Sequence, residues 1–507
     1  MYTRRRFLKT LGALGAAYAL PSFAETRASH PFGLGVASGY PTQDGVVLWT
    51  RLAGTLDPLA APVRWEIATD EAMKSIVQSG TASADPAWAH SVHVEVNGLA
   101  PERWYWYRFM TAGAESPIGR TRTAPAAGAA NARLRFAFAS CQQYEQGYFS
   151  AYRHIAADAP DLVAFLGDYI YESTWGRDHV RKHDVPEPYT LDAYRARYTQ
   201  YRSDPDLQAA HAACPWIVTW DDHEVDNDYA DDRPEDGMER APFLERRAAA
   251  YRAYYEYMPL PARMRPKGPD MRIHTHLDWG QLARFHILDT RQYRSWQACP
   301  RKGRRGGSNT LDIEHCERLS RPGRSMLGRA QERWLEQSLG DSRAAWNVLA
   351  QTTPMAQFDS KPGPGRRAWT DGWDGYPAAR QRLFQTFIEK KIANPVVLGG
   401  DVHSFNVNQL KLDFDDPASP VVASEFVATS ITSQAWSQER LNQYLPDNPH
   451  MLQTDSRFRG YARAEVTAKR MTVDLRAMES VATREAPCST LASFVVEDGK
   501  PGPQRAG

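Results

Sequence analysis

Phe165-Leu166-Gly167-Asp168-Tyr169-Ile170-Tyr171-Glu172 decides how this chain is read. It continues Asp161-Leu162-Val163-Ala164, an apolar run of the length expected for a buried strand. The run stops at Gly-Asp. The glycine lets the backbone turn sharply, and Asp168 is left at the carboxyl end of the strand, the edge where open α/β sheets hold ligands. A carboxylate there suits a hard cation, but an Asp capping the following turn is an equally good reading of the octapeptide alone.

Three further runs end in the same way. Leu134-Arg135-Phe136-Ala137-Phe138-Ala139-Ser140 leads into Cys141. Trp216-Ile217-Val218-Thr219-Trp220 leads into Asp221-Asp222-His223-Glu224-Val225-Asp226-Asn227-Asp228. Pro395-Val396-Val397-Leu398 leads into Gly399-Gly400-Asp401-Val402-His403. If the four strands are neighbours in one sheet, donors of the Asp, His, Cys and Asn types converge on one edge.

The remaining chain fits a large exported α/β protein. At 507 residues it is long enough for two or three domains, with 42% hydrophobic and 24% charged residues. A net charge of +1, with no charged block beyond residue 10, argues against specific nucleic-acid binding. Fifteen Trp and twenty-three Tyr suit an aromatic core. Thr3-Arg4-Arg5-Arg6-Phe7-Leu8-Lys9 reads as a twin-arginine signal, followed by an apolar stretch from Leu11 to Leu20 and a small-residue end at Ser22 and Ala24. About ten apolar residues are too few to cross a bilayer. Cleavage after Ala24 removes four cations and takes the formal charge from +1 to −3. The mature protein is therefore expected in the periplasm or outside the cell, as a monomer, after passing the twin-arginine machinery.

From 31 to 125, short alternating strands such as Val63–Ala68, Ser91–Val96 and Trp104–Phe109 predict a small all-β sandwich of the immunoglobulin or fibronectin type. Ala124-Pro125-Ala126-Ala127-Gly128-Ala129-Ala130 is a linker. From 131 to 500, strands alternate with helical patterns over 148–158, 327–339 and 378–392, which predicts an α/β sandwich with helices outside. The segment 298–324 reads as a polar surface loop, and Cys299 and Cys316 within it as a disulfide. Cys214 and Cys488 are either buried thiols or a second pair.

Asp, His and Asn at strand ends are also the signature of two-metal phosphoesterases, whose usual pattern is Asp-x-His, Gly-Asp, Gly-Asn-His-Glu and Gly-His-x-His. This chain departs from it, with Ser140-Cys141-Gln142, Asp222-His223-Glu224 and Gly400-Asp401-Val402-His403 in three of those places. In these departures it resembles the alkaline phosphatase D (PhoD) family. Trp220-Asp221-Asp222-His223-Glu224-Val225, Leu288-Asp289-Thr290-Arg291-Gln292-Tyr293-Arg294, Trp373-Asp374-Gly375-Tyr376-Pro377 and Gly35-Val36-Ala37-Ser38-Gly39 extend the likeness over nearly all of the mature chain. The resemblance implies a metallophosphoesterase-like α/β sandwich preceded by the small β domain. It implies one Fe³⁺ held by Cys141, Asp168, Tyr171 and His403, and one or two Ca²⁺ held by Asp168, Asn227 and Asp401. Asp222 stands where the usual metal-binding Asn would be, so Asp222 and Asn227 remain rival ligands. Asp222 and His223 are the candidate catalytic pair, with His223 expected to touch the substrate phosphate. Asp289, Arg291 and Tyr293 either support substrate or lie elsewhere.

The expected activity is metal-dependent hydrolysis of phosphate monoesters, diesters or both, by a hydroxide activated at the metals. Small phosphate esters and phosphodiester polymers are the expected substrates. Two other readings are a non-catalytic protein binding an envelope polymer and a metal-independent hydrolase with Cys141 as nucleophile. A cysteine phosphatase loop carries Arg six residues after its Cys, whereas Gly147 stands there in this chain. Replacing Arg4 and Arg5 by Lys should leave the precursor in the cytoplasm; normal export of that variant would refute the leader assignment.

Overall fold

The computed structural model describes residues 30–54 and 60–506, so the twin-arginine leader lies outside the described residues. Among those residues no helix is long and apolar enough to cross a membrane.

Two mixed sheets share one core. The larger has ten strands, running from Lys500–Arg505 at one edge through Cys488–Glu497, Arg470–Met478 and Arg459–Val466 to Leu134–Ala139, Leu162–Leu166 and Trp216–Thr219. It ends with Val36–Gly39, Val46–Arg51 and Ser91–Val96. The second has seven strands, with Pro395–Gly399 at its centre between Trp346–Ala350 and Val421–Val427. Apolar side chains from both sheets form a single cluster, in which Phe136 of one and Phe285 of the other meet edge to face at 5.2 Å. Apart from half-buried Arg135, the four site strands are buried along their whole length, as strands covered on both faces must be.

The four site strands form as expected but do not lie in one sheet. Leu134–Ala139, Leu162–Leu166 and Trp216–Thr219 are parallel neighbours in the large sheet, whereas Pro395–Gly399 belongs to the second. Periodicity marks a buried strand but carries no information about its partner, so the sequence could not distinguish the two cases. The carboxyl ends still meet because the sheets close on each other there. A Cβ on Gly400 would lie 2.3 Å from Ser140 Oγ, and one on Gly167, whose φ is +92°, would lie 2.6 Å from Asp221 Cβ. Gly400 is needed for close approach, and Gly167 both for close approach and for its left-handed backbone.

The N-terminal region is all β, but only one of its sheets stands apart: Ile76–Ala84, Ala61–Ala68, Trp104–Thr111 and Ala114–Glu115, with Gly119–Arg122 also on Trp104–Thr111. Its other three strands extend the large sheet, through a parallel bridge from Gly39 to Trp216.

The predicted helices appear at Ala151–Ala157, Gly328–Gly340 and Pro377–Glu389. Leu191–Arg202, Pro205–Ala213 and Arg240–Tyr257 were not predicted. Arg240–Tyr257 has no apolar stripe to read, because buried Arg246 and Arg247 sit among its tyrosines; Arg246 is paired with Asp226 at 2.9 Å and Glu187 at 2.7 Å.

Cys299 and Cys316 form the expected disulfide, with Cα atoms 6.2 Å apart; Cys141, Cys214 and Cys488 are free thiols. The loop it closes contains one short strand, Thr310–Asp312, paired with Arg367–Trp369. Removing the bridge by the double Ser substitution should lower stability by about 3 kcal/mol in urea unfolding, following the chain-entropy model. An unchanged midpoint would mean that other contacts hold the loop.

Candidate metal and phosphate site

The turns after the four strands are fixed by backbone contacts before any side chain acts. Cys141 N donates to Gly167 O and Gln142 N to Asp168 O, each at 3.1 Å. Glu224 clamps two turns at once: its carboxylate accepts from the backbone N–H of Asp168 (3.2 Å), Tyr169 (2.6 Å) and Asp221 (2.9 Å). Within these turns Cys141, Asp168, Asp228, Asp401 and His403 all have φ between +52° and +67°, a region that side chains other than Gly, Asn and Asp seldom occupy. Concentrating such conformations in one place is a mark of a functional site.

One group joins Cys141, Asp168 and His403, with donor atoms within 4.8 Å of one another. The Tyr171 hydroxyl sits among them, donating to Asp168 Oδ2 at 2.9 Å, with His403 Nε2 at 3.2 Å and Ser433 Oγ at 2.9 Å. His403 Nδ1 faces Gln434 O at 2.6 Å, which places its proton on that nitrogen and leaves Nε2 free to accept. Burial, reinforced by Arg459, pushes this imidazole down to about 3, so the ring is neutral. Trp175 stacks on it with centroids 5.5 Å apart.

A second group joins Asp168, Asp222 and His223. His223 Nδ1 lies 2.7 Å from Glu172 Oε2. Burial disfavours charge on His223, but Glu172, Asp222 and Asp168 outweigh it and raise the ring well above the ordinary imidazole value. Glu172, the last residue of the strand-end stretch, orients His223 and also accepts from Asn227 N at 3.3 Å.

A third group, Asp222, Asp228 and Asp371, was not foreseen. Asp222 therefore belongs to two groups. Asn227 joins none of these close contacts: its side-chain amide donates to Glu235 Oε2 at 2.6 Å, and Glu235 is paired with Arg304 of the disulfide-closed loop. That orientation turns the amide nitrogen outward and leaves the amide oxygen as the ligand atom Asn227 has to offer. Asp401 is close enough to raise the Cys141 thiol, and its Oδ2 is buried without a partner among the described residues.

The electrostatics call for a cation. Asp168 Oδ1 is likewise buried and unpartnered, and burial with the neighbouring carboxylates pushes Asp168 and Asp401 well above their ordinary values. Burial and Asp168 also raise Cys141 and Tyr171. A bound cation reverses every one of these shifts, whereas a nucleophilic cysteine requires a lowered pKa in an accessible place. Cys141, 1% exposed, is neither.

Arg291 lies beneath these groups, wholly buried, with Asp221 at 2.5 Å, Asp371 at 2.8 Å and Asp222 at 3.7 Å. It acts on the acids rather than on substrate. Asp289 is buried and caps its own turn, accepting from Trp220 Nε1 and from the backbone of Arg291 and Gln292. Tyr293 is 37% exposed. Ser433 and Asp371 lie outside every motif in the sequence, because a single Ser or Asp carries no pattern of its own, and the motif that contains Glu224 gives no sign of its role as a backbone clamp.

The sequence model of PhoD-like phosphatases matches residues 136–475, and that of the N-terminal domain of PhoD-like phosphatases matches residues 16–125. Alkaline phosphatase D of Bacillus subtilis (strain 168) is 46% identical over 500 residues, spanning 96% of this chain and 83% of that protein. A solved structure described as that of PhoD superposes with a TM-score of 0.90 at 46% identity, covering 95% of this chain and 93% of the other.

Replacing Arg291 by Met would leave three buried carboxylates without their shared counter-charge. The variant should lose about 3–5 kcal/mol of stability in denaturant unfolding, the usual result of breaking a buried ion pair from one side. Wild-type stability would show that the acids are balanced by something else.

Proposed function

The chain belongs to the PhoD-like phosphatase family, and we propose on that footing that it is an exported, metal-dependent phosphatase acting on phosphate monoesters, diesters or both. That it is a phosphoesterase follows from the family and disposes of the non-catalytic polymer-binding alternative. The metals, the export route and the residue roles are our reading.

The observation that carries it is the convergence of Cys141, Asp168 and His403 on one point, with the Tyr171 hydroxyl among them. Thiolate, phenolate, carboxylate and imidazole form a donor set for Fe³⁺, while Ca²⁺ takes oxygen ligands alone. Cys141, Asp168, Tyr171 and His403 would hold iron. Asp168, Asp401 and either Asn227 or Asp222 would hold one or two Ca²⁺. When bound, the ions would neutralise charge developing on the phosphoryl group and make water acidic enough to attack at neutral to alkaline pH.

The protein's own groups do the rest. His223, held at Nδ1 by Glu172, keeps its other ring nitrogen for the phosphate or the departing oxygen. Asp222 shares Arg291 with Asp221 and Asp371 and so stays ionised. Trp175 covers one face of His403 and limits solvent access to it. We read the two-sheet core as the metallophosphoesterase type of sandwich, residues 1–24 as the twin-arginine leader, 31–125 as the N-terminal β domain and 131–500 as the catalytic domain, working in the periplasm or outside the cell.

Purified protein should contain iron and calcium, and chelation should abolish hydrolysis of both a chromogenic monoester and a chromogenic diester, or of whichever one it accepts. Phenolate and thiolate bound to Fe³⁺ should colour the enzyme, and Tyr171→Phe should shift or bleach the visible band. A colourless, iron-free protein of full activity, killed by thiol reagents, would overturn the metal assignment in favour of Cys141.

A further inference from the structure

The turn that follows the strand Val421–Val427 crosses from the second sheet to the first. Ser430 forms a parallel bridge with Ser140, and Ile431 N donates to Ser140 O at 3.0 Å. Thr432 Oγ1 donates to Gln143 O at 2.7 Å. Ser433, wholly buried, ends the crossing. Its carbonyl accepts from Ser430 Oγ and from Nη1 of Arg459. The turn is thus tied residue by residue to the segment that carries Cys141, and the Ser433 side chain is held from its own backbone.

Three groups surround the Tyr171 hydroxyl oxygen: Asp168 Oδ2 at 2.9 Å, His403 Nε2 at 3.2 Å and Ser433 Oγ at 2.9 Å. Only Ser433 can donate to it. An ionised carboxylate accepts, and His403 carries its proton on Nδ1, facing Gln434 O, so its Nε2 accepts as well. The Ser433 proton is available. Its oxygen accepts from Gln143 N at 3.2 Å. The other acceptor within reach of the hydroxyl, Cys141 O at 2.8 Å, is already approached by Thr432 N at 3.4 Å and Ser433 N at 3.3 Å. A neutral Tyr171 gives its own proton to Asp168, whereas a phenolate has none and takes one in hydrogen bonding. A charged acceptor of that kind binds a hydroxyl roughly twice as strongly as a neutral one. The rest of Tyr171 is fixed too: its N donates to Tyr201 Oη at 3.1 Å and its carbonyl accepts from buried Arg197.

We propose that Ser433 is a positioning residue for the metal site: its hydroxyl donates to the Tyr171 phenolate, holding that oxygen in place and drawing electron density from it. The proposal rests on the reading of Tyr171 as an iron ligand and deepens it. A hydrogen bond donated to an anionic ligand weakens the ligand as an electron donor, so Ser433 leaves the iron more electron-poor and easier to reduce. Asp168 and His403 cannot substitute for it, because neither has a proton to give to Tyr171.

The test compares wild-type holoenzyme with Ser433→Ala and with Thr432→Val. The second variant removes the neighbouring hydroxyl of the same turn, which reaches Gln143 O and not Tyr171. The visible spectrum and the reduction potential of the bound iron are measured for each. Ser433→Ala should move the phenolate-to-iron band to longer wavelength and lower the potential, because a phenolate without its donor releases an electron more readily and stabilises the ferric ion. Thr432→Val should leave both as in the wild type. A band that stays in place or moves to shorter wavelength in Ser433→Ala overturns the proposal. An equal shift in Thr432→Val also overturns it, by tracing the effect to the turn as a whole. The wild type supplies a second measurement that holds even if Ser433→Ala does not fold. Resonance Raman spectra excited in the band should show phenolate vibrations that shift on transfer into deuterium oxide, and vibrations insensitive to that exchange refute the hydrogen bond. A wild type without iron refutes the metal reading and this proposal with it, whereas a coloured wild type whose band is indifferent to Ser433 refutes this proposal alone.

Discussion

Arg291 has to exist for the site to exist. Asp221, Asp222 and Asp371 are buried within a few ångströms of one another, and taking a carboxylate out of water costs several kcal/mol unless an opposite charge accompanies it. A guanidinium is the one cationic side chain able to address three acids at once from a fixed plane, and it remains charged when buried. Yet one cation cannot balance the rest. Asp168 and Asp401 keep unpartnered oxygens, and their carboxyls are pushed towards the neutral form. Arg291 serves three of these five acids, and the unpartnered oxygens of the other two mark where a cation would fit. The metal assignment follows from that imbalance as much as from the identity of the ligands.

Where the sequence was legible, the cause is local. Buried strands announce themselves as apolar runs, a Gly-Asp at a strand end announces a turn with a carboxylate, and the three short helices with an apolar stripe are readable from their period. The six proposed ligands sit on turns that are encoded next to their own strands. What could not be read is pairing over distance. Pro395–Gly399 looks like its three counterparts but joins the other sheet, and the ends converge through the contact of Gly400 with Ser140. Glu224, Ser433 and Asp371 act by position alone. Arg291 lay inside a quoted motif, but nothing in its sequence neighbourhood says that it faces three acids from elsewhere in the chain. Asn227 shows a further limit: its orientation depends on Glu235 and Arg304, and so on a loop tied by a disulfide more than seventy residues downstream.

The left-handed turns at Cys141, Asp168, Asp228, Asp401 and His403 store conformational energy that the clamps of Glu224 and Ser433 must hold. The hydrogen bonds of these clamps fix the backbone from which the donor side chains project.

The single bridge from Gly39 to Trp216 gives the N-terminal strands a second meaning. Without Val36–Gly39, the strand Trp216–Thr219, buried throughout, would end the large sheet with the backbone of Trp216 open on one side. An uncovered edge of that kind recruits strands from other molecules. Gly39 and Tyr40 occupy backbone groups of Trp216 and Val218 on the strand that leads to Asp222 and His223. Val36–Gly39, Val46–Arg51 and Ser91–Val96 are thus part of the same sheet as Leu134–Ala139, Leu162–Leu166 and Trp216–Thr219, and cutting them away would reopen those backbone groups.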